Sequence, residues 1–167
     1  MKKALILLFA ITLISCENKT VKPQNEILTE KTKATVLKAF NAQTAGEIEV
    51  MKSQLADEFT FILTGQLDIS KTYSWDEFLE FAGYFGSLLM GDVGVEYKGV
   101  LVEGKTAMVF AEGRMEGVGG KYENDYAIKY TLNDNGKIIE QKEYLSDLLL
   151  AQRLYGQDLC GDKKTME

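Results

Sequence analysis

The sequence predicts an α+β domain in which helices gather on one face of a curved antiparallel sheet. Two observations carry this. The apolar period is mostly helical up to about residue 90, and beyond it four runs of strand character are separated by turn residues. Helices followed by strands favour segregated layers over an alternating parallel sheet. Of the 167 residues, about 140 remain once the leader described below is set aside, enough for one domain with one core. No internal repeat divides them.

Leu28, Val36, Leu37 and Phe40 fit a helical stripe over residues 27–45, with Gly46 as its C-cap. Ile48, Met51 and Leu55 continue at helical spacing into a second, shorter helix ending near residues 56–57. The aromatic and β-branched run Phe59-Thr60-Phe61-Ile62-Leu63-Thr64 then reads as a strand. Residues 65–72 form a loop or short hairpin. Ser74-Trp75-Asp76-Glu77 has the spacing of a capping box, and Phe78, Phe81, Phe85 and Leu88 extend an apolar face, so a third helix starts there and runs to about Gly91. Four strands follow, over residues 93–102, 105–116, 122–132 and 137–145, joined at Glu103-Gly104, Gly119-Gly120 and Asn135-Gly136. Asn-Gly is a strong hairpin signal, since both central residues of a type I′ turn need positive φ. A short helix over residues 148–154 closes the order.

Residues 1–16 are an address. Lys2 and Lys3 precede an uncharged apolar run that ends at Ser15-Cys16, the pattern of a secretory signal and too short for a transmembrane helix. Leu13-Ile14-Ser15-Cys16 resembles the bacterial lipobox, which implies cleavage before Cys16 and diacylation of its thiol. Two acyl chains anchor a protein stably where one does not. The expected organisation is a signal peptide over residues 1–15, a lipidated tether over 16–26, a domain over 27–155 and a polar tail over 156–167. The expected location is exported and bound to a bacterial membrane through lipid on Cys16, with the leaflet open.

Composition excludes several functions. The formal charge is −6, and loss of Lys2 and Lys3 makes the mature chain more acidic still, with its lysines scattered among more numerous acids. Nucleic acid is therefore not expected as a partner. The absence of histidine removes Ser-His-Asp and Cys-His nucleophilic machinery and the commonest zinc ligand. Acylation of Cys16 would leave Cys160 an unpaired thiol without a basic cluster to activate it. No metal or cofactor is implied: residues 113–120 are glycine-rich but lack the following helix that would hold a phosphate.

Together, Ala45-Gly46-Glu47-Ile48, Leu55-Ala56-Asp57-Glu58-Phe59, Tyr122-Glu123-Asn124-Asp125-Tyr126, Asp134-Asn135-Gly136-Lys137-Ile138 and Glu143-Tyr144-Leu145-Ser146-Asp147 occur in this element order. Over about residues 36–150 the chain resembles the nuclear transport factor 2-like superfamily, in particular its SnoaL-like and ketosteroid-isomerase-like bacterial members. The resemblance implies a cone, with the N-terminal helices packed on the concave face of the sheet around an apolar cavity. It also implies a choice among isomerases, cyclases, hydrolases, ligand binders and dimerising modules, because the fold does not fix the function. Carried over position by position, the general base of a ketosteroid isomerase falls at Leu63, and its oxyanion-hole tyrosine falls at Ala39, beside Phe40. Neither moves a proton, so ketosteroid isomerisation is not expected.

Strand alternation places Tyr122, Asn124, Tyr126, Ile128, Tyr130 and Leu132 on one face, inward by its apolar members. Asn124 is then either an orienting contact for a ligand carbonyl or hydroxyl, or a group satisfied by the tyrosines and backbone around it. Asp147 is the candidate general base, because SnoaL-like enzymes often place a carboxylate near the end of the last strand; the alternative is a capping aspartate for the short closing helix. Trp75 and Phe81 join Tyr122, Asn124 and Tyr126 as candidate ligand contacts. Glu112 and Arg114 are read as an exposed ion pair.

Three functions stay open. The favoured one is a tethered, non-catalytic module that either binds a small apolar ligand or serves as an accessory protein. The second is a lyase, isomerase or hydrolase using Asp147 as base with Asn124 and Tyr126 as orienting donors. The third is an interaction module forming a homodimer through the outer face of its sheet.

Overall fold

A computed structural model describes residues 22–159. Cys16, with the signal and lipidation read from it, and Cys160 lie outside the described residues. The elements are α1 (Gln24–Ala45), α2 (Ile48–Lys52), β1 (Leu55–Leu63), β2 (Thr72–Tyr73), α3 (Trp75–Ser87), β3 (Gly94–Glu103), β4 (Thr106–Gly117), β5 (Gly120–Leu132), β6 (Ile138–Tyr144) and α4 (Asp147–Leu149). A turn of π-helix over Leu150–Leu154 continues α4.

The six strands form one sheet in the order β2-β1-β6-β5-β4-β3. β3 to β6 make the expected antiparallel meander, whereas β1 lies parallel to β6, so the sheet is mostly rather than wholly antiparallel. Alternation is strict where it matters. Ala107, Val109, Ala111 and Met115 of β4 and Tyr122, Asn124, Ile128, Tyr130 and Leu132 of β5 are buried. The helices cover this face, and Val36, Ala39 and Phe40 of α1 join Phe59, Phe61, Val109, Ile128 and Tyr130 in one core. The sheet is curved and unclosed, with the helices in its concavity, the cone that the resemblance implied.

Local signals held in detail. Gly46 ends α1 in the left-handed region at φ 72°, where a side chain would be strained. The Ser74–Glu77 box is complete: the Glu77 amide donates to Ser74 Oγ at 3.4 Å and the Ser74 amide to Glu77 Oε2 at 2.8 Å. α3 nevertheless stops at Ser87 rather than Gly91, because Leu89 bridges to Gly117 and the Met90 amide donates to Glu116 O at 2.8 Å.

Three expectations are corrected. α1 starts at Gln24, not Ile27, since Pro23, a poor continuation but a good start, accepts from the Glu26 and Ile27 amides at 2.9 and 3.2 Å. β1 starts at Leu55 instead of Phe59, because Leu55 pairs with Ile138 of β6; this long-range partner overrides the helical spacing. The Asn135-Gly136 turn is not type I′. Gly136 has φ 73° and no described non-glycine residue has positive φ, while Asn133 Oδ1 accepts the Asn135 and Lys137 amides, each at 3.0 Å.

The glycines at the β4–β5 tip serve packing. A Cβ on Gly119 would lie 1.9 Å from Gln152 O, and one on Gly117 would lie 2.4 Å from Arg153 O. Glycine lets the π-turn backbone rest directly on the hairpin.

Candidate functional site

α1, α2, α3 and the concave face of the sheet surround a cavity of about 260 Å³, just below the usual range of small-molecule sites, about 300 to 1,000 Å³. Its walls are aromatic and aliphatic: Phe40 from α1, Met51 from α2, Phe61 and Leu63 from β1, Phe78, Phe81 and Phe85 from α3, and Ile128 from β5. Thr44, Ile48, Ala82, Gly86 and Val93 both line it and are exposed, so they form the rim. Phenyl packing sets the wall: Phe61 lies 4.8 Å from Phe78 and 5.9 Å from Phe81 between ring centres.

Glu143 is the one charged residue among those lining the cavity. On β6 it stands between Leu63 of β1 and Ile128 of β5, and both of those neighbours face inward. Gln141, two residues earlier and fully buried, donates through Nε2 to Glu143 Oε1 at 3.0 Å and to Gln43 Oε1 of α1 at 3.0 Å. Burial pushes the Glu143 carboxyl up to about 7, against the opposing pull of Gln141 and Gln43. No ion pair reaches it among the described residues. The three tyrosines of β5 near it, Tyr122, Tyr126 and Tyr130, are all held above their ordinary value, chiefly by burial, and stay neutral at physiological pH.

The site residues expected from sequence divide. Phe81 and Tyr126 line the cavity. Tyr122 and Asn124 lie on the expected inward face but outside the lining, in a network of their own. Asn124 Nδ2 donates to Tyr122 Oη at 3.1 Å and to Ser146 O at 3.3 Å, and its Oδ1 accepts the Ser146 amide at 3.1 Å. Tyr126 Oη reaches the network through Tyr122 Oη at 3.2 Å. Asn124 is thus satisfied by tyrosine and backbone rather than offered to a ligand. Trp75 is also outside the lining. It packs against Phe59 and Phe78 at 6.1 and 5.7 Å, with Lys52 Nζ 4.7 Å over its ring.

Asp147 does not line the cavity either. Its Oδ2 accepts the Gln66 amide at 2.6 Å, and a Cβ on Gly65 would lie 2.1 Å from its Oδ1, so it clamps the loop after β1. Ser146, not Asp147, caps α4, accepting the Leu149 amide at 3.4 Å. Glu112 pairs with Arg114 and Lys98 at the sheet surface, Lys98 at 3.1 Å, as expected of an exposed pair.

Glu143, Gln141 and Gln43 were missed. A signal existed: β5 was read as inward at Ile128 and Tyr130, and antiparallel pairing sets Glu143 and Gln141 opposite those two residues. Gln141, Glu143 and Leu145 then share the inward face.

Chemically, this is an apolar chamber with one carboxyl that exchanges a proton near neutrality. It can bind a hydrophobic molecule and hold or move one proton at Glu143. Among the described residues no acidic cluster could hold a metal ion, and no helix is long and apolar enough to cross a membrane.

The model of the SnoaL-like domain matches residues 36–141. Among solved structures, the chain is similar to an NTF2-like protein from Burkholderia xenovorans LB400, with 21% identity and a TM-score of 0.60 over 75% of this chain and 97% of that one. TerC, co-crystallised with polyporic acid, is similar at 15% identity and a TM-score of 0.65, over 75% and 98%. Bal32a, from a soil-derived mobile gene cassette, gives 16% and 0.65, over 72% and 93%. No curated protein matches significantly. At these identities the structural likenesses establish the fold alone.

Proposed function

The chain belongs to the SnoaL-like domain family, and we propose that it binds a small, largely apolar molecule in its cavity while tethered to a membrane through lipid on Cys16. The observation that carries the binding reading is the chamber itself. Rings from α1, β1 and α3 surround a void that their side chains leave unfilled, with a rim exposed to solvent. TerC was crystallised with polyporic acid, so a protein of this fold accommodates an organic ligand. Tethering rests on the two lysines, the apolar run and the Leu-Ile-Ser-Cys sequence at residues 13–16.

A second reading has one observation in its favour. A carboxyl poised near neutrality in an apolar chamber suits general acid–base catalysis, and Glu143 takes that role in place of Asp147. A homodimer through the outer face of the sheet is the partner proposed, since Phe110 and Tyr144 flank Ala127 in one row there and Leu101 is exposed on the neighbouring strand. Sedimentation of the purified chain tests it.

Blocking the chamber tests the binding reading. Ala82 is an exposed rim residue on α3, so Ala82→Trp should fill the mouth without disturbing the core. Ligands found by thermal shift against the wild type, where binding raises the melting temperature, should no longer shift the variant, although its unliganded melting temperature is unchanged. Equal shifts in both proteins would place binding elsewhere.

A further inference from the structure

Two glutamines hold Glu143 in an unusual way. Gln141 spends its amide nitrogen on both Gln43 Oε1 and Glu143 Oε1, and its own buried carbonyl oxygen is left without a partner. Gln43 favours the ionised form of the Glu143 carboxyl in the same sense as Gln141. Among the described residues, the side-chain hydrogen bond seen at the carboxyl is thus one that Gln141 donates to it. Donors favour the ionised form, so the surroundings are built to present Glu143 as an acceptor. A buried carboxylate is costly unless a cation accompanies it, and none of the lysines or arginines in ion pairs among the described residues is paired with Glu143. The charge of Glu143 is balanced either by its own proton or by a cation from outside the fold.

We propose that the cavity takes an amphiphilic amine, its ammonium group paired with the Glu143 carboxylate and its apolar body among the phenyl rings. This rests on the reading of the cavity as a ligand site and names its ligand class. Phe61, Phe78, Phe81 and Phe85 supply the hydrophobic wall, and aromatic π faces attract cations where aliphatic walls do not. The acidic chain, with a formal charge of −6, favours the approach of a cation over that of an anion.

The pH dependence has one source. Facing Glu143 are Gln43 from α1, Leu63 from β1, phenylalanines from α3 and neutral tyrosines from β5, so only Glu143 titrates near neutrality. Below about pH 7 the carboxyl of the empty chain is largely protonated. An ammonium ligand must then displace that proton to solvent, whereas an uncharged ketone would accept a hydrogen bond from it.

The test uses the full-length chain with 4-phenylbutylamine and its uncharged counterpart benzylacetone, by calorimetry from pH 6 to pH 8. The amine remains a cation throughout that range, as lysine does. With the Glu143 carboxyl near 7, its affinity should rise by about tenfold, while that of the ketone stays flat or falls. Glu143→Gln should weaken the amine by about thirtyfold or more and spare the ketone; the wild-type pH profile decides the matter if that variant does not fold. Ketone binding without amine binding, or amine affinity independent of pH, overturns the amine assignment and leaves the cavity reading standing. Binding of neither overturns both.

Discussion

Glu143→Gln is expected to stabilise the protein at pH 8 and to change little at pH 5. The carboxyl is raised from its ordinary 4.5 to about 7 by burial. At about 1.4 kcal/mol per pH unit, that interval corresponds to about 3 kcal/mol. A raised carboxyl binds its proton more tightly in the folded chain than in the unfolded one. Its contribution is therefore fully present below 4.5, is lost as pH rises toward 7 and stays lost above it. Glutamine mimics the neutral acid and carries no such loss. Urea unfolding of both proteins between pH 4.5 and 8.5 checks this, because the other carboxylates cancel in the difference. The gap should open from near zero to about 3 kcal/mol, the variant being the more stable. Parallel curves across that range would refute the reasoning, since they would mean that Glu143 titrates like an exposed glutamate.

Three further outcomes follow from the structure. Asn124→Leu should cost about 1–3 kcal/mol in unfolding experiments, because it leaves the Ser146 amide without its acceptor, while the Tyr122 hydroxyl and the Ser146 carbonyl each lose one partner and keep Tyr126 Oη and the Leu150 amide; its effect on ligand affinity should be small, as Asn124 is outside the lining. Cys16→Ser should move the protein out of the membrane fraction or leave it unprocessed, and mass spectrometry of the wild type should find acyl groups on the N-terminal cysteine. With Leu63 on the cavity wall and Ala39 in the core, the purified chain should not isomerise a β,γ-unsaturated ketosteroid above the rate with buffer carboxylate alone; turnover that depends on a named residue would show that those two positions were matched wrongly.

What the sequence made legible was set by how local each signal is. The Ser74–Glu77 box and the Gly46 cap are complete within a few residues, and both appear as read. The meander was legible because alternation and turns recur within each hairpin. The parallel β1–β6 pair joins segments some eighty residues apart, and no local period records it, so Leu55 was assigned to a helix. Residue chemistry left alternatives open that only the folded neighbourhood distinguishes. Asp147 stands where a catalytic carboxylate was expected, yet its side chain turns to the Gln66 amide. For Asn124 the sequence left a ligand contact and internal satisfaction both open, and its bonds to Tyr122 and Ser146 fit the second, because facing inward puts a residue in the core as readily as in the cavity. Glu143 was passed over since a glutamate in a charged strand reads as solvated; only the register against Ile128 reveals where it points.

The most direct measurement is the titration of the Glu143 carboxyl by carbon-13 NMR, assigned through Glu143→Gln, with and without saturating 4-phenylbutylamine. The free protein should titrate at about 7, and the amine should draw that midpoint down toward or below the ordinary 4.5 by replacing the missing cation. A free carboxyl that titrates near 4.5, or a midpoint that bound amine leaves unmoved, would contradict the assignment of this chamber and its single carboxyl as the ligand site.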